Sequence, residues 1–148
     1  MPFDALTFEP VLPAVAVEAA VDPYWRCRAR GIDVERLVWL RDFLARLPAE
    51  NFDMGDFGPA RRWKPAEYYL EHRCRTPACI AGWASVLFGG RVGEDPGDVA
   101  ERVLRLNGDD ADDLFLGYDH HTTYTPADAV KVLDHLLATG EVRWDVVP

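Results

Sequence analysis

This chain has little of what crossing a membrane, export or a grip on nucleic acid would be expected to need. No run approaches the ~18 consecutive apolar residues that span a bilayer, and the most apolar stretch, residues 11–21, is broken by Pro13 and Glu18. The start, Met1-Pro2-Phe3-Asp4, has no basic flank of the kind that opens a secretion signal, so the expectation is a cytoplasmic protein. Only three cysteines occur, Cys27, Cys74 and Cys79, an odd number that argues against a disulfide framework and for reduced thiols. Basic charge is scarce as well: 16 Lys and Arg face 25 Asp and Glu, for a net charge of −9. The deficit is uneven, with residues 1–74 holding 10 basic against 12 acidic side chains and residues 75–148 holding 6 against 13. Such a surface repels phosphate backbones, which argues against direct nucleic-acid binding, and it suits another protein as partner, a basic one above all. Phosphate-cradling glycine loops, a Gly-x-Ser-x-Gly elbow and a His-Glu-x-x-His pair are also missing.

What remains is ordinary globular material. The 148 residues, 49% of them apolar, suffice for one domain that buries a core without metals or bridges. Their periodicity is helical, and no strand pair stands out. The expected fold is mainly α, a compact bundle of about five to six helices over residues 32–148. Residues 1–31, with Pro2, Pro10, Pro13 and Pro23, read as an irregular arm packed on the core, with one short helix near 14–21.

The helix expectations rest on stripes, starts and stops. Asp33 caps a helix over 34–47 in which Leu37, Leu40, Leu44 and Leu47 recur at helical spacing before Pro48. Residues 50–64 form a loop with aromatic anchors, and a short helix near 65–72 begins at Pro65. Thr76-Pro77 opens a central helix over 77–88, apolar on nearly every side and stopped by Gly89-Gly90. Further helices are expected over 97–106, closed by Asn107-Gly108, over 110–116, and over 126–139, capped by Thr125 and closed by Gly140. Val142, Trp144 and Val146 alternate in the tail as in an extended edge segment.

Three constellations invite chemistry. Cys74 and Cys79, five positions apart, straddle the predicted helix start, which would place Cys79 in the first turn where N–H groups favour a thiolate. They read as buried apolar filling, as a reversible thiol pair, or as zinc ligands with His72, completed by Cys27, His120 or His121. The acidic run Asp109, Asp110, Asp112 and Asp113 lacks the spacing and central glycine of a calcium loop, and fits a helix start or a partner surface. Asp119-His120-His121 matches the letters of a metal-dependent hydrolase motif but lies alone in a turn between Gly117 and Pro126. The single basic cluster, Arg61-Arg62-Trp63-Lys64, reads as a solvated loop or an anion contact.

The combination of Asn51-Phe52-Asp53-Met54, Cys74-x4-Cys79-Ile80-Ala81-Gly82-Trp83-Ala84 and a late Leu114-Phe115 resembles small uncharacterised proteins of bacteria and their phages. The likeness spans residues 34–139. This chain has Arg75 where such proteins often have glycine, and a longer insert at 57–72. The resemblance implies a compact helical domain and brings no catalytic residue and no cofactor with it. The leading expectation is a non-catalytic acidic binding protein of the immunity, antitoxin or phage-inhibitor kind. A thiol or zinc protein built on Cys79, Cys74 and His72 is the alternative. A hydrolase built on Asp119, His120 and His121 is the weaker one.

Overall fold

The computed structural model describes residues 22–56, 78–91 and 93–148. The expected helices near 14–21 and 65–72, the basic cluster 61–64, His72, Cys74 and the Thr76-Pro77 start lie outside the described residues. Among those described are six α-helices: α1 Trp25–Ala29, α2 Val34–Arg46, α3 Ile80–Leu87, α4 Pro96–Leu104, α5 Gly108–Leu116 and α6 Pro126–Thr139. Two single 3₁₀ turns, Ala49–Asn51 and Trp144–Val146, complete the set, and no strand occurs among the described residues. The fold is mainly α, as the periodicity predicts.

Helix α2 forms for the reasons its sequence gives. The Asp33 carboxylate accepts from the Arg36 N–H, and Val34, Leu37, Leu40, Phe43 and Leu44 bury one stripe. That stripe packs chiefly on α6, where Ala129, Val132, Leu133, Leu136 and Leu137 face inward. A capping box starts α6: the Thr125 hydroxyl accepts from the Asp128 N–H, and the Asp128 carboxylate accepts from the Thr125 N–H. Gly140, at φ +77°, closes it in the left-handed region.

The second layer is α3 against α4. Residues Ile80 to Ser85 of α3 are all buried, Trp83 with no exposed surface. Its indole packs 5.4 Å from Phe43 of α2 and donates a 2.9 Å hydrogen bond to the Asn51 carbonyl. The loop after α2 is thereby pinned beneath α3. Phe52 and Ala78 form an isolated parallel bridge, with the Ala78 N–H donating to Asn51 O and the Asp53 N–H to Ala78 O.

Four details depart from the expectations. Helix α3 begins at Ile80, three residues later than Pro77, because Ala78 is extended in that bridge and the Cys79 N–H is spent on Asp56 O at 2.7 Å. Helix α4 is closed at Arg105, which takes φ 57°, and not by Asn107. Asn107 instead caps α5, its side chain accepting from the Asp110 N–H. The tail turns into the 3₁₀ segment Trp144–Val146 where alternation suggests an edge strand. Within the region read as an irregular arm, α1 is a packed helical turn: Cys27 is buried on α6 and its thiol donates to Leu136 O.

Candidate binding surface

Each chemical constellation has a definite place. Cys79 is the N-cap of α3, 1% exposed, and its Sγ accepts from the Gly82 N–H at 3.5 Å. Two effects compete at this sulfur. Helix-start N–H groups of Gly82 and Ala81 favour the thiolate, but burial opposes it more strongly and pushes the thiol up to about 11. The expectation that the helix start lowers this thiol is therefore corrected: burial wins. Cys27 is likewise buried and pushed up to about 11, first by burial, against the pull of Arg30.

The Asp119-His120-His121 turn is held by its own side chains. The Asp119 carboxylate accepts from the His121 N–H at 2.9 Å and from the Thr122 hydroxyl at 3.0 Å, which holds it below the usual carboxylate range. The His120 ring lies 4.3 Å from that of Tyr118, away from any shared ligand position. Among the described residues no three His, Cys, Asp or Glu side chains converge as a metal site would require.

The acidic run divides by role. Asp110 turns toward α1, where it pairs with Arg30, whose guanidinium also donates to Gly140 O. Asp109, Asp112 and Asp113 occupy the outer stripe of α5, at i, i+3 and i+4, and no cation among the described residues pairs with them. One turn further on the same stripe stands Leu116, 54% exposed. The helix dipole accounts for Asp109 and Asp110, which lie in the first turn. It does not account for Asp113, which sits in the last turn with no basic residue there to offset it.

Aromatic packing stiffens this end of the molecule. The Trp144 indole donates to the Asp113 carbonyl at 3.0 Å and lies 4.9 Å from Tyr124 and 6.0 Å from Tyr118. The Gly117 N–H donates to the same carbonyl, and a side chain at Gly117 would meet that oxygen at 2.5 Å, so only glycine fits there. Asp113, Gly117, Val142, Arg143, Trp144 and Asp145 border a shallow hollow of about 300 Å³. Sequence reading found the carboxylates but missed the hollow. The contact of the tail with α5 that forms it is long-range, and its only local signal was the aromatic content of the tail.

No family model matches the chain, and no curated protein or solved structure matches it.

Proposed function

We propose that this protein acts by binding a basic protein, in the manner of an immunity, antitoxin or inhibitor module, through the outer stripe of α5. The observation that carries the reading is the set of three exposed carboxylates, Asp109, Asp112 and Asp113, that lack a cation of their own. Like charges three and four residues apart destabilise a helix, and Asp113 adds a charge of the wrong sign at the C-terminal end. A cationic partner relieves both penalties at once. Leu116, exposed on the same stripe, gives that partner an apolar contact beside the charges. The buried, raised thiol of Cys79 does not favour the thiol alternative, and the turn-bound Asp119 does not favour hydrolysis.

The test is affinity capture with a charge-reversed control. Wild-type protein and the triple variant Asp109→Arg, Asp112→Arg, Asp113→Arg are immobilised and challenged with extract at about 0.05 M and about 0.5 M salt, below and above the screening of surface pairs. The expected result is a defined basic protein held by the wild type at low salt, released at high salt and absent from the variant. Equal retention by both would remove α5 from the account.

A further inference from the structure

Among the described residues, the largest exposed apolar side chain lies on a different face. Trp39 of α2 is 66% exposed, although the opposite side of the same helix is core. A lone exposed tryptophan needs no explanation by itself. Its neighbours give it one. Glu35, Trp39, Asp42 and Arg46 are all exposed and fall at i, i+4, i+7 and i+11, a straight stripe along the helix.

That stripe is complementary to itself. If two copies of α2 lie antiparallel about a two-fold axis passing between positions 40 and 41, Glu35 of one faces Arg46 of the other, and Trp39 faces Asp42. Each contact then occurs twice, as a two-fold interface requires. The chemistry matches at both positions. Among the described residues Arg46 has no ion-pair partner and the Trp39 indole N–H has no hydrogen-bond acceptor. A carboxylate opposite each is what they lack.

The charge balance of this face favours the approach as well. The protein carries −9 overall, a charge that drives copies apart. On this face Arg28 is shared between Glu35 at 2.8 Å and Asp22, and Arg41 between Asp42 at 3.2 Å and Asp134, so that with Arg46 three arginines stand among four carboxylates and the face is close to neutral. Repulsion between copies is therefore weaker here than at the α5 stripe. We infer that the occupant of this face is a second copy of the chain, in an antiparallel α2–α2 pair centred on Trp39. The inference is independent of the α5 reading, whose residues it does not use. The contact runs from Glu35 to Arg46, about 16 Å of helix, which sets it among small, reversible interfaces.

Sedimentation equilibrium of the full chain from about 1 µM to about 1 mM, in about 0.15 M salt, tests the pairing. The weight-average mass should climb from 16.7 kDa toward twice that value with concentration. Arg46→Glu and Glu35→Arg should each weaken association by roughly tenfold, since each sets like charges against each other twice. The double variant Glu35→Arg, Arg46→Glu should restore it, and Trp39→Ala should abolish it. Helical circular dichroism checks that each variant is folded. A wild type that stays monomeric throughout overturns the inference. So does association that survives Trp39→Ala, or a double variant that fails to recover.

Discussion

Cys79 shows how a single residue's chemistry is decided by its surroundings. Viewed along the chain, a cysteine beside a helix start is a candidate nucleophile, because N–H groups there stabilise a thiolate. In the fold the sulfur is the cap itself, shut away under the bridge between Phe52 and Ala78, and desolvation outweighs the N–H groups. With Cys79 and Cys27 both pushed up to about 11, the folded state holds the thiols neutral more firmly than the unfolded chain does. The stability they contribute is fully present below about pH 9, the ordinary thiol value, and is lost as pH rises toward 11. Alkylation of Cys79 at pH 8 should accordingly run no faster than global opening of the protein. Urea midpoints should fall between pH 9 and 11. Fast labelling at pH 8, followed by mass spectrometry of the modified residue, would contradict this placement.

At the scale of elements, legibility followed locality. Helices α2 and α6 were readable almost to the residue because each carries its own cap, stripe and stop within a dozen positions. The start of α3 was misplaced because Thr76-Pro77 satisfies every local rule for a helix start. The bridge to Phe52 that keeps Ala78 extended comes from 26 positions away. The end of α4 was misplaced because Arg105 takes a left-handed conformation that ordinarily selects glycine, so no residue signal marked it. The six-to-one bond from the Leu106 N–H to Glu101 O holds that turn and frees Asn107 to cap the next helix. Of the candidate surface, the carboxylates were legible, but the division between Asp110, spent on Arg30, and the other three required the fold. The prediction that belongs at this scale concerns α3. Trp83→Ala removes a fully buried ring and one of the two hydrogen bonds to the Asn51 carbonyl, and should cost about 3–5 kcal/mol in urea denaturation. A loss below about 1 kcal/mol would mean that α3 is not the centre of the bundle.

Over the whole molecule, the two layers α2–α6 and α3–α4 share one continuous apolar core, from Cys27 in α1 to Leu137 in α6. Among the described residues no helix is long and apolar enough to cross a membrane. The surplus negative charge is spread unevenly over this body. Where carboxylates meet Arg28, Arg30, Arg41 or Arg143 they hold turns and helices together. On the outer stripe of α5, where no cation among the described residues meets them, Asp112 and Asp113 repel Asp109 and Asp113 opposes the helix dipole. Under the proposed function, these charges are kept at the expense of stability because a basic partner uses them.

The most direct measurement is urea denaturation of Asp112→Asn, Asp113→Asn beside the wild type near pH 7, with Asp109 left in place. Removing the repulsion with Asp109 and the misplaced charge in the last turn of α5 should raise stability by about 0.5–1 kcal/mol. The gain should shrink in about 0.5 M salt. A variant less stable than the wild type would show that the carboxylates are already satisfied within the fold, and the case for a basic partner at α5 would lose its physical basis.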